Sequence, residues 1–103
     1  MAEITLTSEN FKAEVLDSKV PVLVDFWATW CGPCQMMGPV VAELAEKSGG
    51  SYKVGKVNVD EQGELAQEYG IMSIPAFFVF KDGKVSASTV GAQGKDALLD
   101  MLK

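Results

Sequence analysis

The run Pro21-Val22-Leu23-Val24-Asp25-Phe26-Trp27-Ala28 leads directly into Thr29-Trp30-Cys31-Gly32-Pro33-Cys34. Its first half is apolar at both alternating positions, with Asp25 the one exception. That is the pattern of a strand covered on both faces, at the centre of a sheet. From Cys34 to Lys47 the period changes. Val40, Val41, Leu44 and Ala45 form an apolar stripe, which predicts a helix that Pro39 should kink. A doubly covered strand followed by a helix begins a β-α-β unit, so the sheet starts parallel.

The flanks extend this frame. Thr7 or Ser8 can cap a first helix, with Glu9 in its first turn and Phe11 and Val15 on its buried face. Tyr52 to Val59 reads as a valine-rich strand, and Asp60 opens a short helix through Leu65 and Tyr69 that Gly70 ends. Ala76 to Phe80 is a strand, Asp82-Gly83 a hairpin turn, and Lys84 to Val90 the returning strand. Lys95 to Leu102 closes the chain as a helix, with Leu98 and Leu102 on one side. The late hairpin adds antiparallel strands, so an α/β fold with a mixed sheet and helices on both faces is expected. At 103 residues, with no repeat or linker, one domain over 1–103 is expected.

Composition narrows the function. With 48% apolar and 22% charged residues, the chain can bury a core and is not disordered. A net charge of −5 disfavours nucleic acid, which needs a basic patch, and no basic run suggests a membrane surface. The opening Met1-Ala2-Glu3-Ile4-Thr5 carries no secretory pattern, so a cytoplasmic placement is expected. A clipped signal or transit peptide would leave the same trace, as in an organelle-targeted mature form. The absence of histidine removes Cys–His and Ser–His–Asp catalysis and most zinc sites.

Cys31 and Cys34 are the only cysteines, and three roles suit them. A structural disulfide across so short a loop would restrict the unfolded chain little. A tetrahedral zinc site needs four ligands, so the metal reading survives only as a site bridged between two chains. The third role is redox chemistry. Residues three apart on one helical turn meet the Cα separation of roughly 4.4–6.8 Å that a disulfide requires. Pro33 fits the first turn of a helix, which places Cys31 at its start. Free N–H groups and the positive dipole end there favour a thiolate. Cys31 is therefore expected to be the more exposed, attacking sulfur and Cys34 its buried resolving partner. Cys31 would form a mixed disulfide with the substrate, and Cys34 would release it in an effectively unimolecular step.

With its flanks, Trp27-Ala28-x-Trp30-Cys31-Gly32-Pro33-Cys34 closely resembles the active-site signature of the thioredoxin family. Asp25-Phe26, Pro39, Lys56-Val57-Asn58-Val59-Asp60, Tyr69-Gly70-Ile71, Ser73-Ile74-Pro75, Phe80-Lys81-Asp82-Gly83 and Val90-Gly91-Ala92 follow the family's order and spacing. The resemblance implies the thioredoxin fold: a central mixed five-stranded sheet with about four helices, in the order β-α-β-α-β-α-β-β-α. It implies a protein-disulfide reductase with no bound cofactor and no metal. Its electrons would come from a thioredoxin reductase dependent on NADPH or ferredoxin, its substrates would be disulfide-containing proteins, and it would act as a monomer.

The resemblance also gives roles to single residues. Asp25, a lone carboxylate in a buried strand, should have a raised pKa; the family assigns the matching aspartate to proton transfer with the cysteine that Cys34 matches. Lys56 matches the lysine that neighbours this aspartate; without the resemblance, a strand lysine extending its head to water is nearly as good a reading. Pro75 falls at the family's cis-proline, and the backbone of Ile74 before it can pair with an extended substrate. Trp30, Gly32, Pro33, Ile74, Pro75, Val90, Gly91 and Ala92 would form an apolar docking surface, whereas Trp27 reads as core. Gly32-Pro33 matches reducing members, while oxidising relatives usually carry a histidine there. Gln35 and Ala76 depart from the Lys or Arg and the Thr that the family often has, which bears on tuning and not on the reaction. A binding module that keeps the fold and uses only the apolar surface is the alternative from another class.

Overall fold

The computed structural model describes residues 2–103. In chain order the elements are β1 (Ile4–Thr5), a π-helical turn (Lys12–Leu16), β2 (Val22–Trp27), α1 (Gly32–Glu46), β3 (Lys53–Asn58), α2 (Gly63–Glu68), β4 (Ala76–Lys81), β5 (Lys84–Val90) and α3 (Lys95–Met101). The sheet has five strands in the order β1-β3-β2-β4-β5. β2 is its middle strand, parallel to β3 and antiparallel to β4, as the apolar run predicts. The expected mixed sheet and element order are thus present.

Alternation along β2 divides the core in two. Val22, Val24 and Phe26 face Leu6, Phe11, Val15, Val57 and Phe80, under the π-helical turn and Leu65 of α2. Leu23 faces the other way, into Met37, Val41 and Leu44 of α1, Leu98 of α3, and Val54, Phe77 and Val79. Asp25 and Trp27 share the side of Leu23, so the sequence period alone sends the lone carboxylate toward α1. Asp82 (φ 53°) and Gly83 (φ 79°) both take positive φ between the paired Lys81 and Lys84, which is the tight hairpin turn that Asp-Gly predicts.

Two local expectations change. The first helix is a π-helical turn in which Asp17 N–H donates to the Lys12 carbonyl at 2.9 Å. Phe11 and Val15 are still buried together, so their spacing could not separate the two helical registers. Neither Thr7 nor Ser8 caps it: Phe11 is at the N-cap with no side-chain cap bond, and the Thr7 hydroxyl instead accepts from the N–H groups of Glu9 (3.2 Å) and Asn10 (3.3 Å) in the turn before. The helix expected from Asp60 begins at Gly63 instead. The Asn58 side chain accepts from Asp60 N–H at 2.9 Å and from Glu61 N–H at 3.4 Å, a local turn that competes with helix and holds Asp60 outside it.

Gly55 is buried in β3, and a Cβ there would collide with the Leu6 side chain. Gly55→Val should therefore overpack this corner and cost about 1–3 kcal/mol. A fall in the urea midpoint would show it, and Gly55→Ala should lose less because the tip of Leu6 can turn aside.

Candidate active site

The sheet aims β2 at the start of α1, and the link between them is short. Cys31 is the N-cap residue of α1, with extended backbone angles (φ −88°, ψ 112°). An N-cap side chain normally offers an oxygen to the unpaired N–H groups of the first turn. Here the Cys31 sulfur does this, accepting the Cys34 N–H at 3.2 Å. Pro33 falls in the same first turn, where its missing N–H costs nothing. The two sulfurs are bonded, with the Cα atoms 5.2 Å apart, so the structure is the oxidised form.

Both cysteines are 5% exposed as residues. The expected contrast between an open Cys31 and a buried Cys34 is therefore absent in the disulfide. Cys31 is covered because Ala28, Val59, Trp27 and Ile74 pack around the pair. The Ile74 carbonyl oxygen lies 3.8 Å from the Cys31 sulfur. What distinguishes the cysteines is the helix: Cys31 sits at its mouth and Cys34 within its first turn.

Asp25 is 2% exposed, and its Oδ1 receives no hydrogen bond among the described residues. Burial pushes its carboxyl up to about 7, against the pull of Lys56 and with a further push from the charge of Glu3. Lys56 is its Cα partner on β3 and points to the same side of the sheet. The Lys56 ammonium nevertheless lies over the Trp27 ring, 4.6 Å from its centroid. Trp27 is thus half-buried beneath a cation rather than the fully interior residue expected.

The peptide bond before Pro75 is cis. Pro75 is buried, and its carbonyl accepts the Gly91 N–H at 2.7 Å, which ties the loop after β5 to the cysteine side of β4. Trp30, Gly32, Pro33, Val90 and Ala92 are exposed, and Ile74 and Gly91 half-buried. A hollow of about 160 Å³ lies among Trp30, Val59, Ile71, Met72, Ser73 and Ile74.

Three participants carried no sequence signal for their part here. Asp60 accepts from the indole N–H of Trp30 at 2.8 Å and fixes the ring's attitude beside the pair. Gln35, noted only for lacking a charge, donates from Nε2 to the Thr29 carbonyl at 3.0 Å and braces the loop before Cys31. Met72 is 95% exposed and extends the apolar rim. Among the described residues, no group of three or more His, Cys, Asp or Glu is placed to hold a metal ion, and no helix is long and apolar enough to cross a membrane.

A buried, bonded cysteine pair at a helix mouth suits two-electron exchange with another disulfide. Comparison with known proteins agrees. Residues 2–103 match the family model described as Thioredoxin. The chain is 52% identical to thioredoxin 1 of Nostoc sp., over 99% of this chain and 95% of that protein. It is 52% identical to thioredoxin 1 of Synechococcus elongatus, over 94% and 91% of the two chains. With the thioredoxin of Rickettsia felis it shares 47% identity, over 94% and 92%. The chain belongs to the thioredoxin family, and it is a thiol–disulfide oxidoreductase that reduces protein disulfides by dithiol–disulfide exchange.

Proposed function

We propose a division of labour within this exchange, carried by one observation: the Cys31 sulfur occupies the N-cap of α1 and takes the Cys34 N–H. In the reduced protein the same N–H and the helix dipole stabilise a Cys31 thiolate. That thiolate attacks one sulfur of the substrate disulfide. A Cys31–substrate bond forms, the substrate bond breaks, and the departing substrate thiolate takes a proton from water. Asp25, ionised, then accepts the Cys34 proton, and Lys56 balances the charge of that carboxylate as a positioning residue. The Cys34 thiolate attacks the Cys31 sulfur and expels the second substrate thiolate. The dithiol loses two electrons and the substrate gains them.

Trp30, Gly32, Pro33, Ile74, Pro75, Val90, Gly91 and Ala92 form the docking surface in this reading. Small side chains and a nearly flat apolar rim suit a partner backbone coming close, with broad specificity. The Ile74 backbone beside Cys31 is the place for an extended substrate segment to pair. The chain works as a monomer in a reducing compartment such as the cytoplasm. A thioredoxin reductase drawing on NADPH or ferredoxin returns the Cys31–Cys34 disulfide to the dithiol.

Cys34→Ser tests the order of attack. The reduced variant, mixed with a disulfide-bonded protein such as insulin, should accumulate a 1:1 mixed disulfide through Cys31, visible by mass spectrometry and reversed by dithiothreitol. If Cys31→Ser accumulates the adduct through Cys34 instead, the roles are reversed.

A further inference from the structure

The face of the sheet that carries Asp25 holds a second carboxylate outside the thiol chemistry. β1 and β3 run parallel, with Ile4 opposite Gly55 and Thr5 opposite Lys56. Alternation from Thr5 therefore puts Glu3 on the side of Lys56, and the Asp25–Lys56 pairing puts Asp25 there too. Glu3 just before β1, Lys56 on β3 and Asp25 on β2 follow the strand order as acid, base, acid. Lys56 is in the middle and its ammonium rests on Trp27, within ion-pair distance of neither carboxylate among the described residues.

Glu3 is not an ordinary surface acid. The residue is only half-buried, yet its Oε2 is inaccessible to solvent and receives no hydrogen bond among the described residues. It lines a hollow of about 320 Å³ together with Trp27, Lys56, Asn58, Glu61 and Gln62. As a residue Glu3 is part-exposed at this hollow, whereas Asp25 is 2% exposed.

We propose that Glu3 is a positioning residue for the proton step: its carboxylate shares the Lys56 ammonium with Asp25 and adds a like charge on the same face, so that Asp25 keeps its affinity for the Cys34 proton. Without Glu3, Lys56 would answer to Asp25 alone, and the ionised carboxylate would be a weaker base. The direction of the Glu3 influence on Asp25 agrees with this. The other groups around Asp25 do not supply the same charge. β4 sets Phe77 opposite it, α1 packs the uncharged Met37, Val41 and Leu44 against this side of the sheet, and Glu61 reaches the hollow only from the turn before α2.

This inference rests on Asp25 as the proton acceptor, and the experiment separates the two. The Asp25 carboxyl is followed by carbon-detected NMR through a pH titration of the oxidised protein, in the parent, Glu3→Gln and Glu3→Asp. Single-turnover reduction of insulin is followed over the same pH range with the reduced forms. Glu3→Gln should lower the Asp25 midpoint by roughly half a pH unit, the size expected of one charge near solvent. Glu3→Asp, which keeps the charge, should lie close to the parent. The pH–rate profile should move with the midpoint, and its plateau at high pH should fall slightly, as a weaker base requires. An unmoved Asp25 midpoint in a folded Glu3→Gln protein overturns the role of Glu3. A moved midpoint with an unmoved profile upholds the grip of Glu3 on Asp25 and overturns Asp25 as proton acceptor.

Discussion

Serine in place of Cys31 is expected to abolish insulin reduction, a loss of at least about 10⁴-fold. The hydroxyl is not ionised near neutral pH and is a poor nucleophile toward sulfur, so position alone cannot rescue it. The fold should survive. Serine is a favoured N-cap, and its oxygen can accept the Cys34 N–H that the Cys31 sulfur accepts now. The lost cross-link closes a loop with a sequence separation of only 3, worth roughly 2 kcal/mol in the chain-entropy account. Circular dichroism and urea unfolding should show a native sheet with a modestly lower midpoint, while turnover falls to background. Activity within tenfold of the parent would mean that Cys34 can lead the attack, and the direction assigned to the pair would fail.

Local chemistry made much of this legible in advance. The unbroken apolar run at residues 21–28 has one good explanation, a strand covered twice, and β2 is the middle strand with Leu23 and Val24 in opposite cores. Asp82-Gly83 demands positive φ, and the chain supplies it. Features that depend on distant partners were not legible. The late start of α2 is a different case, two local signals in competition, because the Asn58 side chain holds Asp60 and Glu61 in a turn. The equal burial of the two cysteines comes from Ile74 and Val59, far along the chain. Asp60 beneath Trp30 and Glu3 beside Lys56 are products of strand order, which no single period in the sequence encodes.

Asp25→Asn should move stability and activity in opposite directions, and the pH at which each changes identifies the cause. The unfolded carboxyl titrates near 3.8, whereas burial holds the folded one at about 7. Below the lower value both states are protonated and Asp25 adds no pH dependence. Between the two, the unfolded chain has released a proton that the folded protein keeps, so stability falls as pH rises. Above about 7 the loss is complete and the curve flattens. A gap of about three units, at about 1.4 kcal/mol each, sets an upper figure of ~4 kcal/mol. Asparagine cannot ionise and escapes this loss. Its amide also meets an environment in which Oδ1 already has no hydrogen-bond partner, so little new is left unpaired. Unfolding free energies of parent and variant from urea titration should therefore nearly coincide at pH 4 and separate by about 2–4 kcal/mol at pH 8, with the variant the more stable. Activity should show the reverse. Without a carboxylate to take the Cys34 proton, resolution of the mixed disulfide should slow on the order of 10–100-fold, at or below the low end for a positioned base, because a thiol also ionises unaided. The parent rate should climb through pH 7 as Asp25 ionises, and the variant should lose that step. If the variant is more stable yet resolves mixed disulfides as fast as the parent, Asp25 is a buried charge without a catalytic part. If it is slower and no more stable, the raised affinity for protons is absent. Only both results together tie the proton step to the energy that burying this carboxylate costs the fold.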